Sequence, residues 1–189
     1  MIDKVRLGDV VEFQRGYDLP HASVVPGPYP VIASTSVFAY HNDFKAEDGI
    51  VIGRSGTVGQ PQLVRGKFWP HNTTLFTTDI KGNNLEYLYY CLVNLDIGKM
   101  KTGSNIPTLN RNDLYPLEIP FETDVATQQK IAEILSAIDA KIDNNNAICA
   151  DLEGMENCST TTGSSSSTSR MRTEIPTRAA AARWSGMRN

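Results

Sequence analysis

The sequence predicts an α+β protein: a strand-rich domain over residues 1–122, a long coiled-coil-forming α-helix over 123–156, and a disordered tail over 157–189. Three observations predict it. Short β-like apolar runs alternate with Gly, Pro, Asn and Asp clusters through the first part. A stretch without proline or glycine then carries apolar residues at heptad spacing. An abrupt change to Ser/Thr-rich sequence follows. With 189 residues and 40% hydrophobic content, the chain is long enough for one domain with an appendage and a real core.

The β-like runs of the first part are VRLGDVVEF (5–13), YPVIAS (29–34), GIVIG (49–53), PQLV (61–64) and TTLFT (73–77). One helix is expected at Leu85–Leu95, where apolar residues recur at helical spacing behind an Asn cap. LEIP (117–120) reads as a last strand ended by Pro120, and FETD (121–124) supplies the cap of the next helix.

From Ala126 to Glu153 there is neither proline nor glycine. Ile131, Leu135, Ile138, Ile142, Cys149 and Leu152 form a heptad seam, with Asn145 at the intervening seam position. Ile134, Ala137 and Ile148 widen the stripe. About 30 residues at 1.5 Å each give a rod of roughly 45 Å. One small domain cannot cover a seam of that length, so a partner helix is expected. The alternative is an amphipathic helix packed on its own domain.

The tail holds 13 Ser/Thr in its 33 residues, runs at Ser164–Ser167 and Ala179–Ala182, and a charge balance of +4. With almost no aliphatic residues it is expected to be disordered.

Composition narrows the function classes. The formal net charge of −3 argues against a polybasic binder, yet residues 45–111 carry 8 basic against 5 acidic groups. No window approaches the ~18–20 apolar residues of a membrane span, and the N-terminus shows no signal-peptide core. Cys91, Cys149 and Cys158 form no CxxC pair, which fits neither a disulfide framework nor a zinc finger and suits a reducing cytoplasm. His21, His41 and His71 lack metal-ligand spacing, and no nucleophile elbow or methyl-donor loop appears. No catalytic residue, metal or resident cofactor is therefore expected.

Three loop regions are candidates for polyanion binding. IVIGRSGTVG (50–59) lacks the Gly-Lys-Ser/Thr of a P-loop and reads as a hairpin. Its Arg54, Ser55 and Thr57 are donors for phosphates or base edges, or simply solvated turn residues. KMKTGSNIPTLNRND (99–113) offers Lys99, Lys101, Thr102, Ser104, Asn105, Asn110 and Arg111 with no acid before Asp113. Gly103, Pro107 and Asn110 suit turn and cap roles equally well. Gln14, Arg15, Tyr17, His21, Ser34, Thr35, Tyr40, His41 and Asn42 form a polar–aromatic set, each equally compatible with an ordinary surface role.

The order of several pieces resembles one half of the DNA-sequence-specificity (S) subunit of type I restriction–modification systems. They are VRLGDVVEFQRG (5–16), GPYPVIASTSVFAYHNDF (27–44), DGIVIGRSGTVGQPQLVRGKFWPHNTTLF (48–76), LYYCLVNLDIGKMKTGSNIPTLNRNDLYPLEIP (88–120) and QQKIAEILSAIDAKID (128–143). The resemblance implies a target recognition domain followed by a spacer helix. In that family two such halves set their helices antiparallel, so that each head reads one part of a split duplex site. It implies partners as well: double-stranded DNA, methyltransferase (M) and restriction (R) subunits, and a second half-subunit or a second copy. S-adenosylmethionine and ATP would be bound by the partner subunits. Segments shared across the family are expected to be scaffold, since base-reading residues must differ between specificities. The tail departs from the pattern. Back-translated with one adenine added near its start, it can be read as a family-like aromatic stretch, and a frameshift after about Glu156 is the expectation, with a natural low-complexity linker as the alternative.

Overall fold

The computed structural model describes residues 2–34, 36–55, 58–95, 97 and 108–159, the last six of these by backbone alone. Thr35, Thr57, Lys99, Lys101, Thr102, Ser104, Asn105 and the tail from residue 160 onward lie outside the described residues, while 157–159, expected in the tail, continue the last helix.

The chain runs β1 (Ile2–Arg6), α1 (Leu7–Val10), β2 (Glu12–Arg15), a 3-10 turn (His21–Ser23), β3 (Tyr29–Ile32), β4 (Val37–His41), β5 (Ala46–Gly53), β6 (Pro61–Pro70), β7 (Thr74–Asp79), α2 (Leu85–Asn94), α3 (Arg111–Leu114), β8 (Glu118–Glu122) and α4 (Val125–Ser159). Six strands form one sheet in the order β2-β7-β5-β6-β3-β4, and β1 pairs with β8 in a separate ribbon. All pairings are antiparallel except β3 with β6, where Val31 faces Trp69. The architecture is the α+β class expected.

GIVIG in β5 explains the two-sided sheet. Ile50 and Ile52 enter the main core with Leu7, Phe13, Leu75, Leu88, Leu92, Leu114 and Phe121. Val51 turns to the other face and packs with Ile32, Phe68 and Phe76. A strand covered on both faces reads as an uninterrupted apolar run, since alternate residues serve opposite faces. The expected hairpin is present: β5 and β6 pair antiparallel on either side of residues 54–60.

Two local expectations are corrected. VRLGDVVEF is not one strand: Leu7–Val10 forms a single helical turn between β1 and β2. The turn buries both Leu7 and Val10, three residues apart, where a strand would have sent them to opposite faces. The Leu7 and Gly8 N–H groups are taken by Leu117 O at 2.8 Å and Tyr115 O at 3.2 Å. Pro120 does not end its strand either; β8 continues to Glu122, with Pro120 opposite Lys4. A strand with one neighbour tolerates a residue that has no N–H to give.

Helix α2 starts as its sequence indicates, the Asn84 side chain accepting the Tyr87 N–H at 2.9 Å. Burial pushes the Tyr87 phenol up to about 12, and its hydroxyl accepts the Glu122 N–H at 2.9 Å. Cys91, partly buried beside this core, has its thiol pushed up by the same desolvation. Helix α4 is capped by Asp124, whose carboxylate accepts from both the Thr127 hydroxyl (2.6 Å) and the Thr127 N–H (3.0 Å). Those bonds hold the Asp124 carboxyl below the usual carboxylate range.

One compact unit extends to Ala132 and a second starts at Glu133. The opening turns of α4 belong to the first because Gln128 and Ala132 are fully buried. Gln128 Nε2 donates to Asn83 Oδ1 (2.9 Å) and Glu122 O (2.7 Å), while its Oε1 accepts the Asn84 N–H (2.8 Å). Within the second unit, α4 presents Ile134, Ile138, Ile142, Ile148 and Leu152 to solvent, each between 47% and 63% exposed. Among the described residues no helix is long and apolar enough to cross a membrane.

Candidate nucleic-acid interface

Three arginines far apart in the sequence reach one open depression of about 510 Å³. Arg15, Arg54 and Arg111 line it together with Gln14, Tyr17, Asp18 and Asn110. Backbone pairing brings them there. Arg15 ends β2 opposite Leu75 of β7. The Arg54 N–H donates to Thr73 O at 2.8 Å, and Arg54 O accepts the Leu109 N–H at 2.8 Å. Ser55 and Thr108 form a further bridge, which places Asn110 and Arg111 beside the hairpin. The Asn110 side chain caps the single turn of α3, so the structural role weighed for it is realised.

The turn between β6 and β7 is the hub of this arrangement. Thr73 O accepts from Arg54 N–H and, at 2.6 Å, from the Ser34 hydroxyl. Thr74 O accepts the Gly16 N–H at 3.0 Å, and Arg15 Nε donates to Asn72 O at 3.4 Å. Asn72 also donates to Asp18. Gly16 fits because a Cβ there would stand 2.1 Å from His71 O; only a residue without a side chain lets the chain lie on the turn at that distance.

Charge sets the chemistry of the depression. Elsewhere, three exposed cations have carboxylate partners: Arg65 with Glu86, Lys45 with Asp43, Lys81 with Asp79 and Glu12. Among the described residues no ion pair engages Arg15, Arg54 or Arg111. Among the described residues Asp18 is the one carboxylate on its rim. Three guanidiniums against one carboxylate favour an anion with several oxygen acceptors, such as a phosphodiester.

The other sequence-proposed residues separate clearly. Tyr17 packs edge-on to Trp69 (centroids 6.2 Å apart) and against Phe76, while its hydroxyl accepts from Gln14 at 3.2 Å. His41 is buried, edge-on to Trp69, with Nδ1 bonded to the Val25 N–H at 3.1 Å. His41 and Ser34 therefore serve the fold rather than the surface. His21 is exposed and Tyr40 and Asn42 lie at the surface of the β4 edge. On α4, Ile131 packs on the first unit's core and Leu135 is half-buried, whereas Ile138, Ile142, Asn145, Cys149 and Leu152 are exposed. Phe38 was not singled out by the sequence, yet it is 40% exposed between two histidines. Its signal was the alternation in β4, where Val37, Ala39 and His41 point inward and Phe38 and Tyr40 outward.

Comparison with known proteins places the chain in a family and agrees with its fold. The family model for the type I restriction modification DNA specificity domain matches residues 2–154. A Mycoplasma pneumoniae protein named as a type I specificity subunit is 27% identical over 154 residues, 77% of this chain and 40% of the relative. A Mycoplasma genitalium protein named likewise is 31% identical over 107 residues, 54% of this chain and 27% of the relative. The chain thus spans well under half the length of these curated relatives. The crystal structure of a type I S subunit from M. genitalium superposes with a TM-score of 0.67 at 22% identity, covering 78% of this chain and 41% of that one. The HsdS subunit of Thermoanaerobacter tengcongensis gives 0.58 at 16% identity, covering 75% and 38%. With a head and helix arranged in the order of its matched pieces, the chain belongs to the type I restriction modification DNA specificity domain family.

Proposed function

We propose that the chain is a DNA sequence-recognition module of a type I restriction–modification system, binding one part of a bipartite duplex site. The convergence of Arg15, Arg54 and Arg111, free of ion pairs among the described residues, carries this reading. Phosphates held there fix the head on the duplex, and neighbouring loops read base edges. The module itself does no chemistry. Methyltransferase and restriction subunits dock on it and bring S-adenosylmethionine and ATP.

The exposed Ile134–Leu152 stripe supports pairing with a second spacer helix, from another half-subunit or another copy. A two-helix stalk would turn helix length into the distance between half-sites, as dimer geometry does for other DNA readers. The same stripe also favours a second reading, an assembly protein that pairs through its helix without useful DNA contact. Titration of duplex DNA at several salt concentrations separates the two. The recognition module predicts binding that weakens steeply with salt and prefers some sequences. Self-association with no salt-dependent DNA binding would leave the assembly reading alone.

A further inference from the structure

Phosphate contact positions a protein on DNA but carries no sequence information. A head that recognises sequence needs a second surface, beside the first, that meets base edges. The molecule offers one. Phe38 stands exposed on the outer face of β4, the edge strand of the six-stranded sheet. His21 from the 3-10 turn packs edge-on to it, with centroids 5.3 Å apart and planes at 75°. His71 lies against it nearly parallel, at 5.3 Å and 28°. Three rings from three separate segments form one surface-facing stack.

This stack is tied to the arginine depression through the same turn. His71 pairs with Tyr17 in a parallel bridge, its ring Nδ1 is 3.2 Å from Thr73 Oγ1, and its carbonyl lies under Gly16. The next residue, Asn72, receives the Arg15 Nε–H. A phosphate in the depression and a ring stack on the same turn are therefore held at a fixed offset. The guanidiniums, in no ion pair among the described residues, favour a polyanion in the depression, and the contacts of Gly16, Tyr17 and Arg15 with His71 and Asn72 make the ring stack its neighbour, which names duplex DNA as the occupant of both.

We propose that His21, Phe38 and His71 form the base-contacting surface of the head: Phe38 makes apolar contact with base edges such as a thymine methyl, and the imidazoles exchange hydrogen bonds beside it. This rests on the DNA-recognition reading, and it assigns the specificity-determining role to a stack that does not hold phosphate. Phe38 is uncharged whereas Arg54 is a permanent cation, so the two surfaces have different signatures.

The test uses the full chain and a randomised duplex library. Wild type is used to enrich a preferred duplex, and affinities for that duplex and for a scrambled one are measured over a salt series. Phe38→Ala is expected to lower the preferred-to-scrambled affinity ratio by about 10-fold, with the salt slope unchanged. His21→Ala, altering an exposed turn residue, is expected to lower the ratio in the same sense, and Phe38→Tyr to restore most of it. Arg54→Ala is expected to weaken both duplexes alike and to reduce the slope by about 1. A ratio unchanged in both Phe38→Ala and His21→Ala overturns the assignment while leaving DNA recognition intact. So does an intact ratio accompanied by altered self-association, which would make the stack a contact between copies. If wild type enriches no duplex and shows no salt-dependent binding, the recognition reading fails and this assignment falls with it.

Discussion

Gln128 shows how much a single buried polar side chain can organise. It joins the start of α4 to the cap of α2 and to the end of β8 through three bonds of 2.7–2.9 Å. Gln128→Ala leaves the Asn84 N–H and Glu122 O without that partner, and such unmet groups cost about 1–3 kcal/mol each when buried. A lower urea midpoint with an unchanged m-value is the expected result. Gly16→Ala should destabilise by a comparable route, because its Cβ would overlap the His71 carbonyl, and packing conflicts of this kind cost about 1–3 kcal/mol. At this scale the sequence was legible in types but not in neighbours. Arg15, Arg54 and Arg111 stood out as donors, yet their meeting depends on β2–β7 pairing and on the Ser55–Thr108 bridge, neither written in local spacing. His41 looked like a surface recognition residue because its polarity is visible in the sequence, whereas its burial against Trp69 is set by the sheet.

At the scale of elements, periodicity was the reliable signal. Helix α2 was readable from its apolar spacing and Asn cap, and it occupies Leu85–Asn94. Leu88 and Leu92 enter the core, so Leu88→Ala should cost about 2–5 kcal/mol in denaturant unfolding. The turn of α1 was not readable: four residues carry too little periodicity, and its place is fixed by hydrogen bonds to Leu117 and Tyr115 from the far end of the domain. The helix α4 was legible for the same reason as α2, and it occupies Val125–Ser159. Its Ile134, Ile138, Ile142 and Ile148 are exposed, which lets the proposed pairing be tested apart from the head. Replacing Ile138 and Ile142 with lysine should abolish self-association in sedimentation while the head keeps its thermal transition. Persistent association of the double variant would contradict the pairing of helices.

For the whole molecule, the sequence order of head and stalk was legible because composition changes sharply between them, while the tail lies outside the described residues. Stability toward acid also belongs to this scale. Asp43 is held below the usual carboxylate range by the Lys45 ammonium, Asp79 by the Lys81 N–H, and Asp124 by the Thr127 hydroxyl. A depressed carboxyl stabilises the fold above its unfolded value, near ~4, and that contribution is lost as pH falls through the folded value. The thermal midpoint should therefore decline as pH is lowered from about 5 toward 3, with a smaller decline in Asp124→Asn.

The most direct measurement of the central claim is co-expression of the chain with a cognate methyltransferase subunit, followed by mapping of the methylated positions across a genome. A head that reads one half-site and pairs through α4 with a second half must generate a split target, two-fold symmetric where the second half is another copy. The account predicts methylation at a split motif whose two parts are separated by a fixed spacer, identical and inverted where the chain pairs with itself. Methylation at a contiguous, asymmetric motif, or none above background with the subunits bound, would contradict it.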